Sequence, residues 1–234
     1  MCSSDLTERT RDGSGYGKAV RSRTEGPSIA GAAGAVGVVI RSIGTSTHRI
    51  AHTGTLSYNV SAPRVPAVAV SNPDADMLER QLATGREVTV RMRVTARDLP
   101  QARSANVIGD LRGTDLADEI VLVGGHLDSW DLGMGVQDDG AGVIIAIAAA
   151  KLAAQMTPRP RRTIRVVAFA NEEFGLSGAN RYPADEGDES VARHAFALEA
   201  DLGDGPVWKM SARVPERHWP LVRGIHGVVK GLGV

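Results

Sequence analysis

The sequence is short of several residue types, and each shortage narrows the kind of protein that it can encode. It contains one cysteine, Cys2, among 234 residues. A single cysteine can form neither an intrachain disulfide nor a cysteine-based zinc site. Any metal ligands must therefore come from histidine, aspartate and glutamate.

An excess of charge and a long apolar run are also missing. The chain has 27 basic and 27 acidic residues and a formal net charge of zero. This balance predicts no nucleic-acid partner, because nucleic-acid-binding domains concentrate basic residues on one face. No apolar run reaches the roughly 18 residues of a membrane span, and no basic amphipathic helix is visible, so we expect no membrane association.

The two parts of the chain differ in pattern. We expect residues 1–14 to be a disordered tail, because they are polar and without periodicity. Residues 15–98 predict a small β-rich domain. Its predicted elements are a helix over 29–36, strands over 36–40 and 65–70, a helix ending at Leu82 and capped by Asn72 or Asp74, and a half-buried antiparallel strand over 86–95, where apolar and polar residues alternate.

Residues 99–234 alternate strand and helix patterns. The predicted strands cover 119–126, 161–170 and 194–200, and the predicted helices cover 140–156, 176–182 and 216–230. The helix from Gly140 is almost wholly apolar, which predicts a buried helix. This alternation is typical of the α/β class, and we expect a parallel-rich mixed sheet flanked by helices.

Acidic and imidazole side chains follow each predicted strand. The residues concerned are His126 and Asp128 after the first strand, Asp138 and Asp139 before the long helix, Glu172 and Glu173 after the second strand, and Asp201 after the third. Any one of them alone is typical of a loop, a helix cap or a solvated surface. In open α/β sheets, however, ligands bind beyond the carboxyl ends of the strands, so we expect these side chains to converge. Carboxylates packed together repel one another, which predicts a bound cation among them.

Four segments resemble the co-catalytic di-zinc exopeptidase family, and within it the carboxypeptidase Q-like group. They are Gly-Gly-His126-Leu-Asp128-Ser-Trp130-Asp131, Asp138-Asp139-Gly-Ala-Gly, Asn171-Glu172-Glu173 and Glu199-Ala-Asp201. Residues 16–82 resemble the protease-associated domain inserted in these enzymes. The resemblance implies an exported zinc metallopeptidase that acts on peptides, although no signal peptide is visible in this chain.

The resemblance also implies a role for each site residue. His126, Asp138, Glu173 and Asp201 would bind two zinc ions, with Asp138 bridging them. Glu172 would be the general base, and Asp128 would hydrogen-bond His126 and fix its tautomer. The family usually has a cis peptide after the bridging aspartate, here between Asp138 and Asp139.

A fifth ligand, a histidine downstream of Asp201, is expected from the family. His218 and His226 lie in the predicted helix 216–230, and neither is assigned as that ligand. We therefore expect the ligand beyond Val234, with residues 99–234 forming an incomplete catalytic domain. Two other functions stay open: a related di-metal amidohydrolase or deacylase, and a non-catalytic binding protein on the same scaffold. The sequence also leaves open whether the protein forms a homodimer.

Overall fold

The computed structural model describes residues 14–97, 99–131, 133–201, 212 and 214–232. The chain divides into two compact units, residues 1–101 and 102–234. The predicted tail, residues 1–14, lies outside the described residues except for Ser14, which begins the first helix. No helix in the described ranges combines the length and the apolarity that a membrane span requires.

Within the described residues, the first unit has three helices and a two-stranded parallel sheet. The helices are α1 (Ser14–Thr24), α2 (Gly26–Ala32) and α3 (Asn72–Ala83), and the paired strands are β1 (Val38–Arg41) and β2 (Ala67–Val70). Both predicted helices and the first two of the three predicted strands of this region are therefore present with shifted bounds.

Two predictions for this unit are wrong. The cap of α3 is Ser71, whose hydroxyl accepts a hydrogen bond from the Asp74 amide; it directly precedes Asn72, one of the two predicted caps. Residues 86–95 form no strand, although they alternate as predicted. Alternation fixes which face a side chain occupies, but a strand also needs a neighbour to pair with, and the described residues provide none.

The second unit is built on a four-stranded sheet. Its strands are β3 (Val107–Leu111), β4 (Leu116–His126), β5 (Arg162–Phe169) and β6 (His194–Glu199), and its helices are α4 (Ala141–Ala154), α5 (Ser177–Glu186), α6 (Asp188–Val191) and α7 (Trp219–Val229). The order in the sheet is β3-β5-β4-β6. Strand β4 runs parallel to both neighbours, and β3 runs antiparallel to β5. The predicted parallel-rich mixed sheet flanked by helices is confirmed.

The core of this unit lies where β4 and β5 pack against α5. Leu122, Val167, Phe169 and Tyr182 form one buried cluster. The apolar run that predicted β4 is buried because the strand has a neighbour on each side. This packing fixes the strand ends, where the site residues lie.

Helix α4 is less buried than its apolar sequence predicts. Only Gly142 and Ala146 are buried, and they belong to the face that packs on β4 and β5. Ile144 and Leu152 are 64% and 66% exposed. The prediction of a buried helix is therefore wrong for the described residues, since only one stripe of an apolar helix can face a single sheet.

Register places three chain segments at one edge of the sheet. His126 lies opposite Phe169, the last residue of β5. Gly124 lies opposite Glu199, the last residue of β6. Because the three strands are parallel, the residues that follow each of them leave the sheet at the same edge.

Candidate metal centre

Three of the predicted metal ligands meet at this edge. The imidazole Nε2 of His126 lies 3.1 Å from Asp138 Oδ1 and 3.3 Å from Asp201 Oδ1. One donor atom from each of the three residues lies within 4.8 Å of the others. The convergence that strand-end positions predict is therefore present for His126, Asp138 and Asp201.

The tautomer of His126 follows from its contacts. Nδ1 lies 3.0 Å from the backbone carbonyl oxygen of Asp128. A carbonyl oxygen can only accept a hydrogen bond, so Nδ1 carries the proton. The lone pair of Nε2 then points toward the carboxylates of Asp138 and Asp201, and only a proton or a metal cation at that nitrogen makes the arrangement favourable.

Asp138 and Asp139 adopt a non-helical backbone in the irregular turn Val136–Gly140 that precedes α4. The peptide bond between them is cis, as the resemblance implies. Asp139 is 1% exposed, and its carboxylate accepts hydrogen bonds from the amides of His126, at 2.8 Å, and Gly142, at 3.0 Å. Asp139 thus joins the end of β4 to the start of α4, and Asp138 faces the open side of the site.

The sequence predicts that Asp139 lies near the other acidic side chains, but it predicts no role for this residue. In the Asp-Asp-Gly segment, only Asp138 is a predicted metal ligand. An aspartate three residues before a helical amide is a typical cap, and this signal alone could have separated its role from that of Asp138.

Glu172 and Glu173 lie in the loop that follows β5, and Asp128 holds that loop. Both carboxylate oxygens of Asp128 accept backbone hydrogen bonds, from the Glu172 amide at 2.8 Å and from the Glu173 amide at 3.1 Å. The contact of Asp128 with the His126 ring is made by its carbonyl, since its carboxylate is 3.7 Å from Nδ1. Asp128 therefore connects the two loops through different groups, which the sequence could not show.

The pKa values of the cluster are shifted by burial and by neighbouring carboxylates. Burial raises the pKa of Glu172, Glu173 and Asp201, and neighbouring carboxylates raise it further. Burial works to lower the pKa of His126, but the charges of Asp139, Asp201 and Glu172 outweigh it, and the net pKa is raised. The raised carboxyl pKa values have the sign expected for carboxyl groups that are partly buried beside other carboxylates.

The donor set fits zinc. Imidazole nitrogen and carboxylate oxygen are both ordinary zinc ligands. Glu173 adds a second observation, because its Oε1 is buried and has no hydrogen-bond partner among the described residues. A buried polar atom without a partner costs free energy, and a cation within reach would remove that cost. Glu172 approaches the same place, with an oxygen 4.0 Å from His126 Nε2.

Two aromatic side chains flank Glu173 and were not predicted as site residues. The rings of Trp130 and Phe174 lie 4.6 Å apart between centroids, tilted by 55°. A hydrogen bond from Trp130 partly offsets the rise in the pKa of Glu173, for which burial is the largest cause. Trp130 therefore packs against Phe174 and forms a hydrogen bond with Glu173.

The downstream histidines lie in helical segments, as predicted. His218 ends the helical turn Glu216–His218, and His226 lies within α7. In the described part of the chain, His126, Asp138 and Asp201 are the only group of candidate metal ligands whose donor atoms all lie within 4.8 Å of one another. Neither downstream histidine belongs to it.

Comparison with known proteins agrees with this geometry. Residues 106–233 match the model of peptidase family M28. Carboxypeptidase Q from Mus musculus is 34% identical over 189 residues, which covers 81% of this chain and 40% of that protein. Leucine aminopeptidase 2 from Arthroderma otae is 28% identical over 158 residues, covering 62% of this chain and 31% of that protein.

Solved structures show the same relationship. A peptidase M28 precursor from Shewanella amazonensis superposes with a TM-score of 0.82 and 42% identity, over 97% of this chain and 51% of that one. BSAP, a zinc aminopeptidase from Bacillus subtilis, shares the fold, with a TM-score of 0.56 at 19% identity over 98% of this chain and 51% of that one. The chain thus spans about half the length of the related structures and 40% of carboxypeptidase Q. On its sequence and on its fold, this chain belongs to peptidase family M28.

Proposed function

We propose that the full-length protein is a zinc-dependent exopeptidase that hydrolyses the peptide bonds of dipeptides or short peptides. The observation that carries the proposal is the convergence of His126, Asp138 and Asp201 with the carboxylate of Glu172 beside them. Membership of peptidase family M28 supports the reaction class. A site that combines an imidazole, several carboxylates and a partly buried glutamate is suited to metal-assisted hydrolysis.

We propose that two zinc ions bind to this chain, with Asp138 shared between them. His126 and Asp201 would hold one metal and Glu173 the other, and a further ligand would come from outside the described residues. When bound, the metal supplies a Lewis acid that polarises the scissile carbonyl and lowers the pKa of water.

Glu172 is the proposed general base. It takes a proton from the attacking water and returns it to the leaving amine nitrogen, so that the peptide bond breaks without releasing an unstable amide anion. Burial raises the pKa of its carboxyl, which brings the carboxylate closer to the proton affinity that such a shuttle needs. Its side chain is 27% exposed, so substrate and water can reach it.

Asp128 is proposed as a positioning residue. Its carboxylate fixes the backbone of Glu172 and Glu173, while its carbonyl fixes the ring of His126. The general base and two metal ligands are thereby held in one frame, and small displacements of such groups are costly for catalysis.

Replacing Glu172 by glutamine tests the proposal. In the full-length protein, Glu172→Gln should keep its zinc, measured by elemental analysis, and lose hydrolysis of a dipeptide panel by a factor of about 10²–10⁴, the usual contribution of a general base. Glu189→Gln, an exposed position on α6, is the matched control and should retain full activity. Retained turnover in Glu172→Gln would remove Glu172 from this role.

The same assay separates the other functions. A protein that cleaves N-acyl amino acids and leaves dipeptides intact would be a deacylase. A protein that takes up no stoichiometric zinc would be a binding homologue. Export of the protein and formation of a homodimer stay predictions, which cell fractionation and sedimentation would test.

A further inference from the structure

The loop that carries Glu172 and Glu173 is closed at its base by a side chain from another strand. Asn106 directly precedes β3, whose first residue, Val107, lies opposite Ala168 of β5. Beyond this pair the two backbones no longer form ladder hydrogen bonds. The Asn106 side chain continues the connection, because its Oδ1 accepts a hydrogen bond from the Ala170 amide at 3.0 Å.

The same amide group reaches the far end of the loop. Asn106 Nδ2 donates to the carbonyl oxygen of Gly178 at 2.9 Å. The Gly178 amide in turn donates to the Ala170 carbonyl at 2.8 Å. Since an amide N–H can only donate and a carbonyl can only accept, these partners also fix which way the Asn106 side chain is oriented.

The approach at this point is too close for any side chain on residue 178. A Cβ built on Gly178 would lie 2.2 Å from Asn106 Oδ1 and 2.5 Å from the Ala170 nitrogen and oxygen. Ala170 and Gly178 are both buried. The two ends of the loop are therefore pinned together around the Asn106 amide.

We propose that Asn106 is a positioning residue for the site, holding the base of the Ala170–Gly178 loop so that Glu172 and Glu173 face His126. Asp128 secures the same loop nearer its tip, through the amides of Glu172 and Glu173. With both anchors in place, the loop has little freedom to move the two carboxylates. The inference deepens the proposed function, on which its catalytic readout depends.

A purely structural role would give a different pattern, and Thr163 provides the comparison. Thr163 lies at the opposite end of β5 and is 5% exposed. Its hydroxyl donates to the Ala117 carbonyl at 2.7 Å and accepts from the Gly113 amide at 3.1 Å. Thr163→Val therefore removes two bridging hydrogen bonds, as Asn106→Leu does. The bonds of Thr163 lie at the start of β5, away from the site, whereas those of Asn106 lie just beyond the end of β5.

The experiment compares these two variants in the full-length, zinc-loaded protein. Both should lower the melting temperature. Only Asn106→Leu should lower zinc affinity, measured by competition with a chelator, by about 10–100-fold, as is usual for residues that support metal ligands. It should lower kcat for a dipeptide by a similar factor with little change in KM. Hydrogen exchange of the Ala170, Glu172 and Glu173 amides should accelerate in Asn106→Leu and stay unchanged in Thr163→Val.

Equal effects of the two variants on zinc affinity, kcat and amide exchange would overturn the inference. Should Asn106→Leu fail to fold, Asn106→Asp replaces it, since it keeps the acceptor for Ala170 and loses the donor to Gly178. Its zinc affinity should lie between those of the wild type and of Asn106→Leu, and wild-type affinity would equally overturn the inference. A wild-type protein that binds zinc but cleaves no peptide would end the proposed function, whereas zinc affinity and exchange would still decide the role of Asn106.

Discussion

At the scale of single residues, His126 is fixed on every side. Its amide donates to Asp139, its Nδ1 donates to the Asp128 carbonyl, and its Nε2 faces Asp138 and Asp201. A ring held in this way has one free lone pair in one direction. That is the condition for a metal ligand of defined geometry, and it depends on neighbours that do not themselves touch the metal.

Asp139→Asn tests one of these neighbours. The two amides of His126 and Gly142 bind different oxygens of Asp139. Asparagine has an NH2 group in place of one of these oxygens, and this group cannot accept a hydrogen bond, so one amide is left unpaired in a buried place. We expect the free energy of unfolding of the zinc-free protein to fall by about 1–3 kcal/mol, measured by denaturant titration, with a parallel loss of zinc affinity. Asp118→Asn, at an exposed position of β4, is the control. Identical unfolding curves for the two variants would mean that the buried carboxylate is dispensable.

The identities of the clustered residues could be predicted, but their contacts could not. His126, Glu172, Glu173 and Asp201 stand out because each follows an apolar strand run. Asp128 illustrates the limit: its carboxylate binds two amides that are more than 40 residues away in sequence. No local pattern encodes such a partner, because long-range register is decided by the packing of the sheet.

At the scale of elements, the ends of β4, β5 and β6 place the site residues at one edge of the sheet. Helix α4 packs closely against these strand ends. Strands β4 and β5 were predictable because buried parallel strands form short, apolar runs. Strand β6 is largely exposed, and it was predictable from its place in the alternation of strands and helices. Strand β3 was not predicted, since Val107–Leu111 is largely exposed and its partner lies far along the chain. The same reasoning explains residues 86–95, where the pattern of a strand exists without a partner among the described residues.

Gly142→Ala tests the contact between α4 and the strand ends. A Cβ on Gly142 would lie 1.7 Å from the Ala200 carbonyl oxygen and 2.2 Å from Asp139 Oδ1. The helix and the end of β6 must therefore separate, which moves Asp201 away from Asp139. We expect a loss of about 1–3 kcal/mol in the free energy of unfolding, typical of overpacking, and weaker zinc binding by calorimetry.

Gly224→Ala is the matched control for that substitution. Gly224 lies in α7, and a Cβ there would have no atom within 4 Å. Alanine should stabilise this helix by up to about 1 kcal/mol, because it restricts the unfolded chain more than glycine does. If Gly142→Ala were as well tolerated as Gly224→Ala, the packing between α4 and β6 would be looser than the contact distances indicate.

At the scale of the whole molecule, the charge of the protein is balanced but that of the site is not. The formal net charge is zero, yet carboxylates from three strand ends and one helix start meet at one edge of the sheet. Family membership and the sheet architecture could be predicted from the sequence because both depend on patterns repeated over many residues. The exposure of one face of α4 could not be predicted, because the apolar sequence of a helix does not determine how many other elements pack against it.

The imbalance predicts a pH-dependent response to zinc. In the zinc-free protein the pKa values of Glu172, Glu173, Asp201 and His126 are raised, so the folded state binds protons more tightly than the unfolded state does. Stability from these groups is present at acidic pH and is lost as pH rises through their raised pKa values.

Zinc replaces those protons, so the zinc-induced rise in melting temperature should grow between pH 5 and pH 8 (about the range from the ordinary carboxyl pKa to beyond that of histidine). Scanning calorimetry of chelator-treated and zinc-loaded samples measures the rise. His52, whose pKa burial lowers, lies in the other unit and is common to both samples, so its contribution cancels. A zinc-induced rise that is constant or shrinks over this range would show that zinc does not displace protons from these four groups.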